Sequence, residues 1–314
     1  MILDFCNDWT FQKENEKPVK VNLPHDAMLY EVREGSSRNG VNSGYFPGGK
    51  YIYEKTFDLD SSLIGKSIEL HFEGVYHNSS IFVNSKLAGN HRYGYTAFDV
   101  DISDLVRAGE NHICVKVDNS LEPNCRWYSG SGIYRPVQLV IREPNHIIDV
   151  HIDTVQIRPA QISISVHTAE VCPVSVYIYD GDKRVVSGTP GVLIVPDAKL
   201  WSDENPFLYK AVIKTDTDQR EFMFGVRLLR WDAQNGMTVN GQRVLLRGGC
   251  IHHDHGVLGA CEYYDAEYRR ISILKNNGFN ALRIAHNPAS QITLDICDKL
   301  GMYVLNEAFD GWYI

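Results

Sequence analysis

Through the first 143 residues, apolar and polar positions alternate with a period of two. Ile68-Glu69-Leu70-His71-Phe72 and His112-Ile113-Cys114-Val115-Lys116-Val117 place every second side chain apolar, as half-buried strands do. Tyr51 to Phe57, Ser80 to Asn84, Leu87-Ala88-Gly89 and Pro136 to Ile141 add further short β-rich runs. Turns rich in Gly, Asn, Asp and Pro separate them. Many short strands with such turns predict a sandwich or jelly roll. Arg142 to His146 reads as a linker. Alternation resumes in Ile162 to Val166 and in Val174 to Tyr179. A block of about 80 residues with this rhythm suits a small immunoglobulin-like sandwich, although no Cys…Trp…Cys pattern marks a true immunoglobulin domain.

The period changes after residue 229. Val239 to Arg243 has the composition of a hairpin turn, and Val244 to Ile251 reads as a largely apolar strand. From Asp265 to Asn277 the apolar residues Tyr268, Ile271, Ile273 and Leu274 recur with helical spacing, and Asn277-Gly278 is the stop. Ala281 to Ala285 is a second strand. Ala289 to Leu300 is a second helix closed by Gly301, and Met302 to Leu305 is a third strand. Strand-helix-strand-helix-strand is a parallel α/β unit. A (β/α)₈ barrel takes about 250 residues, so this unit reads as the first third of one. A small α/β domain complete in itself is the alternative. The expected organisation is multidomain and mainly β. A jelly-roll sandwich occupies 1–143, an immunoglobulin-like sandwich 144–229 and the first βαβαβ part of an incomplete barrel 230–314.

Composition narrows the function. The 31 Lys and Arg against 39 Asp and Glu give a net charge of −8. That charge argues against nucleic acid as a partner. No apolar run is long enough to cross a membrane, and Met1 to Thr10, with Asp4, Asn7 and Asp8, lacks the features of a secretory signal. A cytoplasmic location is the expectation. Seven dispersed cysteines without a C-x-x-C predict that most are buried thiols in a reducing compartment, with neither a disulfide framework nor structural zinc.

Candidate chemistry gathers at the ends of the three parallel strands, where barrel enzymes place their sites. His252-His253-Asp254-His255 follows the first strand. Substrate contact, metal binding and a plain polar loop are all open for it. Adjacent residues on extended chain point in opposite directions, however, so the four cannot all face one ion. Arg283 lies inside an apolar strand and calls for a carboxylate partner, with a structural ion pair as the alternative to a site role. His286-Asn287-Pro288 follows it. Asn306-Glu307 follows the third strand, and Glu307 reads as the partner of Arg283 or a substrate contact rather than as a catalytic acid. Trp127, Tyr128, Tyr134, Tyr93 and Tyr95 suit either a sugar-stacking platform or, by default, a core.

These motifs resemble glycoside hydrolase family 2, the β-galactosidase and β-glucuronidase family, in its N-terminal half. The resemblance runs through Leu23-Pro24-His25-Asp26, Phe72-Glu73-Gly74-Val75-Tyr76 and Gly94-Tyr95-Thr96-Ala97-Phe98. It continues through Val117-Asp118-Asn119-Ser120, Arg126 to Arg135, Leu200 to Tyr209, Phe224-Gly225-Val226-Arg227 and Asn280 to Pro288. It implies a jelly-roll sugar-binding domain, an immunoglobulin-like domain and the start of a catalytic barrel. It also implies hydrolysis of terminal β-linked sugars with retention, of β-galactosidase type, without a cofactor. The implied partners are a β-linked carbohydrate and the remainder of the barrel, and a homo-oligomer is compatible with it. By position, His252, Arg283, His286, Asn287 and Glu307 would contact the sugar. The family's acid/base Glu follows strand four and its nucleophile lies on strand seven. Neither strand is in this sequence, so no catalytic residue is assigned and the isolated chain is expected to be inactive. A magnesium site found in some β-galactosidases just beyond strand three does not carry over to Ala308-Phe309-Asp310-Gly311-Trp312. A carbohydrate-binding module without catalysis and an assembly subunit for a separate barrel chain are the competing readings.

Overall fold

A computed structural model describes residues 1–121 and 125–310. Ten strands build the first layer pair. They are β1 (Ile2–Asp4), β2 (Trp9–Lys13), β3 (Val19–Val21), β4 (Lys50–Leu59), β5 (Ser67–Phe72), β6 (Ser79–Val83), β7 (Lys86–His91), β8 (Phe98–Asp101), β9 (Gly109–Asp118) and β10 (Val137–Arg142). Antiparallel pairing gives one sheet in the order β1-β10-β5-β8 and a larger one in the order β3-β2-β4-β9-β6-β7. The period-two pattern explains how they stack. Ile68, Leu70 and Phe72 of β5 turn inward, as do Ile81 and Val83 of β6 and Ile113, Val115 and Val117 of β9, and all are buried in one core with Trp9. On the outer face of the smaller sheet, His71 stands opposite Asp99 in the register, with Nδ1 2.7 Å from its carboxylate and Nε2 3.6 Å from Glu73.

The second sandwich comprises β11 (Ile147–Ile157), β12 (Ala160–Thr168), β13 (Ser175–Asp180), β14 (Lys183–Gly188), β15 (Gly191–Val195), β16 (Tyr209–Lys214) and β17 (Gln219–Phe224). Its sheets run β11-β12-β15 and β14-β13-β16-β17 and enclose Ile162, Ile164, Val176, Ile178 and Ile213. A hairpin sheet follows, with β18 (Leu229–Asp232), β19 (Gly236–Val239) and β20 (Gln242–Arg243). Asn240 and Gly241, both at positive φ, form the turn the sequence predicts.

Three parallel strands end the described chain: β21 (Gly248–Ile251), β22 (Ala281–Ile284) and β23 (Tyr303–Asn306). Between them lie α1 (Tyr264–Asn276) and α2 (Gln291–Leu300). The helices cover one face only, where Leu282 and Ile284 pack with Ile271, Ile296, Cys297 and Met302. On the other face Cys250, Arg283 and Leu305 share one register level. Cys250 is exposed there and Leu305 is 48% exposed, so at this level the face is uncovered as the inner wall of an unclosed barrel would be, whereas Ala281 and Tyr303, at the start of the strands, are buried against Trp201 and Val239.

Several expectations need correction. Val244 to Arg247 is not strand: Val244 N–H donates to Met237 O and Arg247 N–H to the Asn280 side chain, so these groups never join the parallel ladder. Tyr268 and Ile273 lie on the outer side of α1 and are each 43% exposed, leaving Ile271 as its buried anchor. Only Cys125, Cys261 and Cys297 of the seven cysteines are buried. Of the stretch Ala308 to Trp312, Gly311 and Trp312 lie outside the described residues.

Buried polar groups fasten the layers together. The carboxylate of Asp26 accepts from Met28 N–H and Ser131 N–H on Oδ1 at 3.0 and 2.9 Å, and from Tyr128 O–H and Ala260 N–H on Oδ2 at 2.6 and 2.9 Å. Burial pushes its pKa up, and those donors oppose the push. Gly130 and Gly259 flank it at φ +69° and +60°, and a Cβ on either would run into the Asp26 carboxylate. Nearby, Arg135 is buried 3.2 Å from Glu262, with Nε and Oε2 off the hydrogen-bonding direction. Its Nη1 donates to Tyr95 O and its Nη2 to Pro288 O, while Ser290 O–H and Thr293 O–H donate to Glu262. On the other flank, buried Trp201 donates from Nε1 to Asp298 O of α2 and packs its ring against Tyr303. Asp203 accepts from Asn280 Nδ2 and Tyr303 O–H.

Two outcomes are expected. Removing Glu262 strands a buried guanidinium, so Glu262→Ala should cost about 3–5 kcal/mol in urea unfolding. Asp99 and Glu73 raise the His71 pKa from 6.5 to about 9 against the opposing effect of burial. The folded state then holds that proton more tightly than the unfolded chain. The associated stability is full below pH 6.5 and lost as pH rises through about 9. Melting curves of His71→Gln should therefore fall less than wild type across that window, and parallel curves would show that the pair contributes nothing.

Candidate active site

The site is assembled at the C-terminal ends of β21, β22 and β23, under two loops of the jelly roll. Arg283 sits on the uncovered face of β22. Its Nε donates to Glu307 Oε1 at 2.6 Å, with Nη2 2.5 Å from the same oxygen. Its Nη1 reaches Cys250 Sγ at 3.2 Å. Glu307 follows β23, and its second oxygen lies 2.9 Å from His286 Nδ1. The carboxylate is a stronger partner for Nδ1 than the guanidinium nitrogen 3.3 Å away, which assigns the proton of His286 to Nδ1 and leaves Nε2 as an acceptor. The carboxylate partner that the sequence demands for Arg283 is therefore Glu307.

The pair is partly exposed, with Arg283 and Glu307 side chains at 41% and 27%. Such pairs contribute little stability, so its effect is to fix orientation. Partial burial alone would push the Glu307 pKa up. The His286 and Arg283 hydrogen bonds outweigh that and hold it below the usual Glu range. Glu307 is therefore an acceptor near neutral pH and a poor proton donor.

The four residues after β21 diverge, as extended chain requires. His252 turns to the site, its ring 5.0 Å from Trp127 and 5.6 Å from His286. Burial pushes its pKa down, with the carboxylate of Asp254 opposing. His253 turns the other way, between Tyr95 and Tyr134, with Nε2 3.0 Å from Ser129 O. Burial there pushes its pKa down to about 3, so it is neutral. His255 pairs with Glu267 at 2.8 Å. Arg270 of α1 donates to the carbonyls of His252 and Asp254 and ties the loop to that helix. Among the described residues no cluster of three or more His, Cys, Asp or Glu side chains is placed to hold a metal ion.

The jelly roll supplies what the strand-end motifs do not contain. Trp127 lies 5.0 Å from His286 as well as from His252, a shared aromatic wall. Arg126 forms a two-point ion pair with Asp310 at 3.1 and 3.3 Å. Tyr93 O–H donates to Asn287 Oδ1 at 3.1 Å and lies 3.4 Å from Ala308 O. Asn287 is buried, and this bond fixes its amide. Of the aromatics read by default as core, Tyr95 and Tyr134 are buried but Tyr93 and Trp127 are not. The signal was their setting. Both stand in loops beside glycines and serines or arginines, not in alternating strand. The result is a polar floor of fixed donors and acceptors with an aromatic wall, suited to an uncharged molecule rich in hydroxyls.

Residues 37–144 match glycosyl hydrolases family 2, sugar binding domain. Residues 140–227 match glycosyl hydrolases family 2, and 232–310 match glycosyl hydrolases family 2, TIM barrel domain. The chain is 33% identical to β-galactosidase BoGH2A of Bacteroides ovatus over 98% of this chain and 41% of that protein. It is 26% identical to a β-glucuronidase of Bacteroides fragilis over 94% of this chain and 48% of that one. The crystal structure of a glycosyl hydrolase family 2 member from Bacteroides cellulosilyticus superposes on the whole chain with a TM-score of 0.92 and 34% identity, over 47% of its own length. The chain thus spans less than half the length of these relatives. With three signatures of one family in order along it, and the jelly roll, second sandwich and opening barrel strands in the same order, the chain belongs to glycosyl hydrolases family 2.

Proposed function

We propose that this chain forms the substrate-holding part of a retaining exo-β-glycosidase of β-galactosidase type. The Arg283–Glu307–His286 constellation carries the reading. It fixes an imidazole, a guanidinium and a carboxylate at barrel strand ends, where hydroxyl groups of a terminal sugar find both donors and acceptors. The charge balance favours a neutral sugar over a uronate. Arg283 is neutralised by Glu307 and Arg126 is paired with Asp310, so neither cation is left over for a sugar carboxylate.

Retaining chemistry uses two carboxyl groups about 5–5.5 Å apart, one a nucleophile and one an acid that turns base. Glu307, held low and engaged on both oxygens, fills neither role. Further barrel strands would bring both carboxyls and cover the face that bears Cys250, Arg283 and Leu305. This chain binds and orients the terminal ring. The bond-breaking groups come from that remainder, the β-linked carbohydrate being the substrate.

The 314-residue chain is expected to release no nitrophenol from a nitrophenyl β-galactoside above the buffer rate. A clear rate that disappears in Glu307→Gln would overturn this division of labour. In binding measurements, Arg283→Ala removes a charge-assisted pair and should weaken galactose by about tenfold or more. Tighter binding of glucuronate than of galactose would move the reading to a β-glucuronidase.

A further inference from the structure

Behind the strand-end residues, between the jelly roll and the barrel segment, lies a cavity of about 20 Å³. One water needs about 10–15 Å³, so there is room for a single small guest and for nothing the size of a sugar. Arg135 of the jelly roll and His253 and Glu262 of the barrel segment line it. Arg135 and Glu262 are 2% and 5% exposed. Each of the three carries a side-chain atom that is sealed from solvent and has no hydrogen-bond partner: Arg135 Nε, Glu262 Oε2 and His253 Nδ1. Buried polar groups are nearly always satisfied, so three such atoms on one small cavity point to a guest that satisfies them.

The bonding of the neighbouring atoms fixes what each of the three requires. Arg135 commits Nη1 to Tyr95 O and Nη2 to Pro288 O, which leaves the Nε–H as a donor. Ser290 O–H and Thr293 O–H occupy Oε1 of Glu262, which leaves Oε2 as an acceptor. His253 Nε2 lies 3.0 Å from Ser129 O, and a carbonyl only accepts, so the proton sits on Nε2. Burial and the charge of Arg135 keep the imidazole neutral, so Nδ1 presents a lone pair. The cavity therefore offers one donor and two acceptors. A cation would face the Arg135 guanidinium, and an anion would face the Glu262 carboxylate. Water accepts one hydrogen bond and donates two without either conflict.

We propose that this cavity is a fixed-water site, in which one water accepts from Arg135 Nε–H and donates to Glu262 Oε2 and His253 Nδ1. It completes an ion pair whose own atoms, 3.2 Å apart, are off the hydrogen-bonding direction. The water also joins two loops. His253 adjoins His252 in the loop after β21, and Arg135 holds the carbonyl of Pro288, next to Asn287, in the loop after β22. His252 and Asn287 themselves form part of the cavity wall. Arg135, Glu262 and His253 are thus positioning residues, acting through the water on the two loops that carry His252, His286 and Asn287. This consequence rests on the glycosidase reading above, whereas the water site does not.

The first test is a crystal structure of the 314-residue chain at a resolution that shows ordered solvent, with parallel soaks in bromide and in thallium. One peak within hydrogen-bonding distance of all three atoms is expected, with no anomalous signal from either soak. An unfilled cavity, a bromide or thallium signal in it, or a direct Arg135 Nε–H bond to Glu262 Oε2 would overturn the assignment. The second test separates positioning from packing. His253→Gln keeps an amide where Nε2 met Ser129 but removes the acceptor toward the cavity, and His253→Asn keeps an acceptor at the Nδ1 place. In titrations, galactose should bind about tenfold more weakly to His253→Gln, with recovery in His253→Asn. Equal losses in both variants, or no loss in either, would refute the positioning role. The crystallographic result decides the water even if the wild-type chain binds no galactose or a variant fails to fold, so failure of the glycosidase reading is distinguishable from failure of this one.

Discussion

The carboxylate of Asp26 ties together segments that are far apart in the chain. It comes from the third turn of the jelly roll, yet two of its four donors sit in the loop around Tyr128 and Ser131 and one in the backbone at Ala260, after the first barrel strand. A buried carboxylate is costly unless its lone pairs are filled, and here each oxygen takes two donors. The arrangement sets the height of the loop that carries Trp127 over the barrel strands. It also admits no side chain at Gly130 or Gly259. Geometry at the strand ends therefore depends on an interaction in neither the catalytic layer nor the core of either sandwich.

The Arg135–Glu262 pair acts in the same direction from the other side. Arg135 donates to Pro288 O, directly behind His286 and Asn287, and Glu262 receives the cap of α2 through Ser290. Trp201 and Asp203 hold the outer ends of α2 and β23. Three parallel strands with helices on one side make a poor domain by themselves, because half of their apolar surface stays wet. Here the two β sandwiches clamp the unit at both ends, which accounts for regular strand geometry beside an uncovered face.

Much of this architecture was legible in the sequence because it rests on local periodicity. The alternation in Ile68 to Phe72 and His112 to Val117 marks strands, and the apolar spacing and Asn277-Gly278 stop mark α1. The need of Arg283 for a carboxylate pointed to Glu307 without coordinates. Legibility failed where partners are remote. Nothing near Asp26, Arg135 or Trp201 in the chain announces Ala260, Glu262 or Asp298. Val244 to Arg247 has the composition of strand, but its N–H groups are taken by a turn carbonyl and by Asn280. Tyr93 and Trp127 look like core by composition. Their place at the site follows from how the jelly roll sits on the barrel, which no local pattern encodes.

The register level of Cys250, Arg283 and Leu305 carries a further consequence. β21 and β23 are both outer strands of a short parallel sheet, each with one side of its backbone lacking a neighbouring strand in the described chain. Unsatisfied peptide edges next to wet apolar side chains are templates for intermolecular pairing. During synthesis of a longer polypeptide, such edges would be safest if the strands that complete the ring arrived quickly. Handled alone, the same polypeptide is open to adhesion between copies, and the partly exposed Arg283–Glu307 ion pair, costly to dry out, is the feature of that surface that works against it.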